Sequence, residues 1–188
     1  MNCLYLFLAN APIDKKSFEG GLEGLPYPFE VTYKDEKSGT IVSDTKSYAY
    51  LDGLLMPLHD DLGVSIAVLC VHRDGELEEK CLKESLGYFP NAARFLSDII
   101  MKELSFGNYS SLPLLSNEFK GVKHEVLLTA GTYLRCGLDA SLAASQLFIH
   151  RNTFNYRLNQ FIDETGLDIR DYHNALLLEI FFQLGSLS

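Results

Sequence analysis

The 188-residue chain has no apolar run of membrane length, no closely paired cysteines and no excess of positive charge. Each absence excludes something. The opening run Cys3–Ala9 is apolar but too short to span a bilayer, and no positive segment precedes it as in a secretory signal. It reads instead as a first β-strand, and the expectation is a cytoplasmic protein without membrane contact. Cys3, Cys70, Cys81 and Cys136 lie far apart, with no Cys-x-x-Cys pair. A chain long enough to bury a core does not need disulfides, so the four read as buried thiols rather than as a cross-linked or metal-binding set. There is no Gly-x-Ser-x-Gly elbow, phosphate-binding loop or dinucleotide fingerprint, so no cofactor and no catalytic activity are expected. His59, Asp60, Asp61 and His72 sit around a turn and at a strand end, where polar residues are expected without a metal. No internal repeat or low-complexity tract is present.

What is there is an ordinary globular composition, 47% hydrophobic and 22% charged. The net charge of −9 is unevenly spread. Residues 1–118 carry 10 Lys/Arg against 18 Asp/Glu, whereas residues 119–188 carry 6 against 7. Between His150 and Ile162 there are two arginines and no acid. The acidity therefore belongs to the first part of the chain and disfavours contact with nucleic acid there, while a locally positive segment lies near the end.

The spacing of apolar residues predicts an α+β protein: a small α/β unit over residues 1–110, then an all-α helix-turn-helix domain over residues 111–188. Strands are expected at Leu4–Leu8, Glu30–Tyr33, Thr40–Ser43 and Tyr48–Leu51. Leu54–Leu58 and Val64–Val71, joined by a polar Gly-containing link, read as a hairpin. Helices are expected at Glu76–Leu86 and at Asn91–Leu104, the latter behind Pro90, with a linker from Gly107 to Pro113. From Glu118 onward the period is helical. Val126, Leu127, Ala130, Tyr133 and Leu134 form one apolar face ended by Gly137. Asp139 caps a short helix holding Leu142, Ala143, Ala144 and Leu147. A longer helix from about His150 to Thr165 buries Phe154, Leu158, Phe161 and Ile162 and stops at Gly166. A last helix carries Leu176, Leu177, Ile180, Phe181 and Leu184, with Gly185 beyond it.

Two short helices joined by a tight turn need small residues where they cross, and Ala143-Ala144 supplies them. On a wheel of about 100° per residue the second helix keeps Phe154 and Leu158 inward. Asn152, Thr153, Tyr156, Asn159 and Gln160 face away, with His150 and Arg151 exposed at the first turn. Arginine can pair with guanine, and asparagine or glutamine with adenine. In a helix-turn-helix the N-terminal residues of the second helix reach the bases. Tyr133, Phe148 and Phe154 are expected in the core, not as stacking platforms.

The stretch Ala143-Ala144-x-x-Leu147-Phe148-Ile149-His150-Arg151-Asn152-Thr153-Phe154-x-Tyr156-Arg157-Leu158, with Glu164-Thr165-Gly166-Leu167-Asp168 behind it, resembles the C-terminal domain of the PucR/CdaR regulators. Leu112-Pro113-Leu114-Leu115, Leu127-Leu128 and Tyr133-Leu134 extend the likeness upstream, and the helix pair is more weakly similar to the nucleoid protein Fis. The resemblance implies a transcriptional regulator that binds double-stranded DNA, usually as a homodimer, with His150, Arg151, Asn152, Thr153, Asn155, Tyr156 and Arg157 at the DNA. For His150 a capping role is an alternative, and for Arg157 a pairing with an acid of its own domain. Asn155, Asn159 and Gln160 depart from the family, which often carries basic residues there, and its GGDEF-like middle domain is not recognisable. Asp52–Gly75 with Asn91–Leu104 resembles instead the final hairpin and helix of GAF or PAS sensor domains, which implies a small-molecule effector or a partner. The alternative function is an effector-binding scaffold whose helix-turn-helix does not bind DNA. The apolar faces of Asn91–Leu104 and Tyr172–Leu184 are candidate dimer surfaces.

Overall fold

A computed structural model describes residues 3–43 and 47–184. These divide into two compact units, one ending at Asn108 and the other beginning at Tyr109. Gly185, expected just past the last helix, lies outside the described residues.

The first unit runs β1 (Cys3–Ala9), α1 (Lys15–Glu23), β2 (Glu30–Tyr33), β3 (Ser38–Ser43), α2 (Tyr48–Leu62), β4 (Ile66–Val71), α3 (Glu76–Tyr88), β5 (Ala92–Phe95) and α4 (Leu96–Ser105). The five strands form one mixed sheet in the order β2-β3-β1-β4-β5. β1 lies at its centre, antiparallel to β3 and β4, while β4 and β5 are parallel and joined through α3. Alternation sorts the side chains. Tyr5, Phe7, Ile41, Ile66 and Val68 pack with Phe18 and Leu22 of α1 and with Leu51, Leu55 and Leu58 of α2. Leu6, Ala67 and Leu69, pointing the other way, are also buried, on the side where α3 crosses β1 and β4.

Three expectations for this unit are corrected. Tyr48–Leu51 and Leu54–Leu58 are not strands but one helix, α2, which continues through Pro57 to Leu62. Leu51, Leu55 and Leu58, spaced four and three apart, are its buried stripe, while the tyrosines and the proline imitate strand and turn signals. The glycine turn is real but ends this helix: Gly63, at φ 66°, donates its amide to the His59 carbonyl at 2.8 Å. The hairpin that carried the GAF/PAS likeness is therefore not formed. Asn91–Leu104 is not a single helix either. Asn91, at φ 56°, accepts the Ile66 amide on its side-chain oxygen at 3.0 Å, which places Ala92–Phe95 as an edge strand beside β4. The chain turns into α4 only at Leu96, where Asp98 accepts the Phe95 amide at 3.0 Å.

The second unit contains α5 (Leu112–Phe119), α6 (His124–Arg135), α7 (Ala140–Gln146), α8 (Arg151–Thr165) and α9 (Tyr172–Leu184). α5 occupies the end of the expected linker and the residues behind it. Leu112, Leu115 and Phe119 are its buried face, with Pro113 in the first turn, where its missing amide has no intrahelical partner to lose. α8 packs on α6 and α7, and α9 on α5 and α6. Phe119 joins the layers, with its ring centroid 6.1 Å from Phe161 and 4.4 Å from Phe181. Among the described residues no helix is long and apolar enough to cross a membrane. Of the cysteines, Cys81 and Cys136 are buried as expected, but Cys3 and Cys70 are only half-buried.

Candidate nucleic-acid interface

α7 is built by its ends. Asp139 lies in extended conformation just before it, and its carboxylate accepts the amides of Leu142 at 3.0 Å and Ser141 at 2.8 Å. Those two bonds, with a smaller contribution from the nearby Arg151 guanidinium, hold the carboxyl below its usual range. Ala143 and Ala144 face inward and are buried, so α7 can lie close on α8. The helix stops after Gln146. Leu147 is still right-handed, Phe148 turns to φ 53°, and the amides of Phe148 and Ile149 fold back to the carbonyls of Ser145 and Ala144, each at 3.1 Å. This is a Schellman closure with a phenylalanine where glycine is usual.

His150 then starts α8. It is extended, and its Nδ1 accepts the Asn152 amide at 3.1 Å, so the capping contact is present. Phe154, Leu158, Phe161 and Thr165 are buried, and the Phe154 ring lies 5.7 Å from that of Tyr133. Gly166, at φ 74°, closes the helix by donating to the Ile162 carbonyl at 2.7 Å.

Opposite this stripe the helix presents polar side chains. Arg151, Asn152, Thr153, Asn155 and Tyr156 are all exposed, Tyr156 to 68%. Arg151 is tethered: its Nη1 donates to Ser141 Oγ at 2.8 Å, tying the first turn of α8 to the first turn of α7. Arg157 lies at the border of the buried stripe, is half-buried, and donates through Nη2 to Glu125 Oε2 of α6 at 2.8 Å. The pairing with an acid of the same unit is thus present. Gln160 is likewise engaged, donating to Glu164 at 2.8 Å.

Phe148 is a correction. Expected in the core beside Tyr133 and Phe154, it is 96% exposed, because the left-handed backbone that closes α7 aims its side chain away from the unit. Helical periodicity cannot foresee this, since the residue belongs to neither helix. The partners Ser141 and Glu125 were also missed; they lie 10 and 32 residues from the arginines they hold.

His59 and His72 lie at separate elements. His59, in the last turn of α2, has its Nδ1 3.0 Å from the Val64 carbonyl oxygen. His72 follows β4, and burial pushes its imidazole down to about 4.

Two consecutive helices meeting at a closed turn, the second with an outward polar N-terminal half, are the geometry of a helix-turn-helix. Residues 126–184 match the PucR C-terminal helix-turn-helix domain. This stretch is a PucR-type helix-turn-helix domain. Relatives agree. The proline-responsive transcriptional activator PutR of Bacillus subtilis is 34% identical over 93 residues, 48% of this chain and 22% of PutR. The carbohydrate diacid regulator of Escherichia coli is 39% identical over 56 residues, 30% of this chain and 14% of the regulator. YxkF of Bacillus subtilis, an uncharacterized protein, is 36% identical over 67 residues, 34% of this chain and 23% of that protein. The chain thus spans less than a quarter of the length of these curated relatives. The crystal structure of a regulator of polyketide synthase expression from Bifidobacterium adolescentis superposes with a TM-score of 0.51 over 99% of this chain and 80% of its own, at 16% identity. That likeness concerns the fold.

Proposed function

We propose that this chain is a cytoplasmic regulator that binds duplex DNA sequence-specifically through the N-terminal half of α8, as a homodimer, and that its first unit takes a small-molecule effector or a partner. The observation that carries the reading is the exposed row Arg151, Asn152, Asn155 and Tyr156 on the second helix of a PucR-type pair. Arg151 suits guanine and the asparagines suit adenine; the Ser141 tether sets the guanidinium in place before contact. His150 and Thr153 flank this row, and Arg157, released from Glu125 or sharing it, reaches toward phosphate. An open groove of about 520 Å³ in the first unit, lined by Leu22, Leu25, Tyr27 and Phe29 with Glu19 and Glu23 among its polar groups, supports the effector reading.

The test is anisotropy of labelled duplexes selected by the chain from a random-sequence library. Binding should weaken steeply with salt, by about 0.9 log units per log of salt for each phosphate contact. Replacing Arg151 by Ala should cost about 1–3 kcal/mol on the selected site and relax its base preference, with the fold intact. A second reading, a scaffold without DNA affinity, is favoured by the near-neutral charge of residues 119–188 and by the engagement of Arg157 with Glu125. Selection that enriches no sequence, or affinity independent of salt, would decide for it.

A further inference from the structure

The exposed ring at the tip of the turn is the least explained feature of the second unit. Among the described residues, α2, α4, α6 and α8 are each followed by a glycine at positive φ: Gly63, Gly107, Gly137 and Gly166. The end of α7 has the same left-handed turn but places Phe148 there, at φ 53°. A side chain in this region costs conformational free energy that glycine avoids. Burial does not repay that cost, because the ring is 96% exposed. The two closing hydrogen bonds are made by backbone atoms and need no phenyl group. A residue that strains the backbone and leaves its apolar surface in water contributes nothing visible to the folded unit.

Its position is informative. Phe148 stands two residues before the cap His150 and three before Arg151, so the ring borders the end of α8 that enters the groove in the proposed function. Apolar side chains take part in groove readout by covering the thymine methyl group, and the deoxyribose edge offers a similar carbon surface. We propose that Phe148 is an apolar contact of the DNA interface, its ring laid on the carbon surface of the duplex beside the bases approached by Arg151 and Asn152. This rests on the DNA-binding reading and adds a residue that hydrogen-bonding logic leaves out.

The test uses the full chain and duplexes it selects from a random library, in normal form and with every thymine replaced by deoxyuridine, which lacks the methyl group. Phe148→Gly removes both the ring and the strain, and Phe148→Leu keeps an apolar group. The expected result for Phe148→Gly is a melting temperature equal to or above the wild type together with an affinity about tenfold lower, partly restored in Phe148→Leu. If the ring covers a thymine methyl, the wild type loses affinity on deoxyuridine DNA and Phe148→Gly does not. If it lies on deoxyribose, the variant's deficit is the same on both duplexes. Unchanged affinity in Phe148→Gly overturns the proposal while leaving the DNA-binding reading intact. So does a loss of affinity that tracks a change in self-association measured by sedimentation, which would make the ring a contact between copies. A wild-type chain that selects no duplex would overturn the DNA-binding reading itself, and this proposal with it.

Discussion

At the scale of single residues, the ends of the two short helices carry more of the site than their faces do. Asp139 gives α7 a start, His150 does the same for α8, and the Ser141 hydroxyl holds Arg151 across the gap. Asp139 has a measurable pH signature. Its carboxyl is lowered in the folded state by the Leu142 and Ser141 amides, so the unfolded chain binds the proton more readily. The stabilisation is complete above the ordinary aspartate range and disappears as the pH falls through the lower, folded value. Asp139→Ala should therefore melt a few degrees below the wild type at pH 7, and the two melting curves should converge as the pH is taken below about 4. A gap that persists at pH 2.5 would mean that the side chain acts by packing rather than as a charged cap.

At the scale of elements, the second unit was legible because its signals agree. In α8 the inward residues recur with a helical period, a cap precedes them and a left-handed glycine follows, so neighbouring evidence points one way. α2 shows the opposite case. Its sequence has tyrosines, a glycine at position 53 and Pro57, all local signals against a helix, and the decision comes from Leu51, Leu55 and Leu58 finding the sheet. The four residues of β5 are too few to show a period, and they become a strand because β4 offers an edge. Of the site, the polar row was readable. The tethers and the exposed turn residue were not, since they depend on where other elements come to lie. The packing of α7 on α8 can be tested as an element. Ala144 is buried, and its carbonyl accepts the Ile149 amide that closes the turn. Ala144→Leu should overpack this contact at about 1–3 kcal/mol, lowering the melting temperature and the DNA affinity together. The exposed neighbour substitution Leu142→Ala should leave the melting temperature nearly unchanged. Equal melting of wild type and Ala144→Leu would show room at the crossing that the burial of Ala144 denies.

At the scale of the whole molecule, charge is the constraint. The chain carries −9 overall, and α8 of its helix-turn-helix part has two arginines, one held by Glu125 and one by Ser141. One copy therefore has a weak electrostatic grip on a polyanion, and affinity for phosphate accounts for most non-specific binding. Two copies related by a two-fold axis double the phosphate contacts and match the symmetry of a palindromic site, which is the reason for proposing a homodimer. The two surfaces first suggested for it offer less than their sequences imply. Leu96, Ile99 and Ile100 of α4 are buried, and so are Leu177, Leu178 and Ile180 of α9; Met101 and Tyr172 stay exposed. Pairing should then be weak in the free chain and strengthened on DNA, where both copies share one duplex. Sedimentation at micromolar concentration should show mostly the 21.1 kDa monomer alone and two chains per duplex on a selected site, with cooperative binding. Cleavage protection should cover two half-sites about one helical turn apart. One chain per duplex at saturation, protecting a single half-site, would exclude the dimer and leave a monomeric reader whose specificity rests on Arg151 and its neighbours alone.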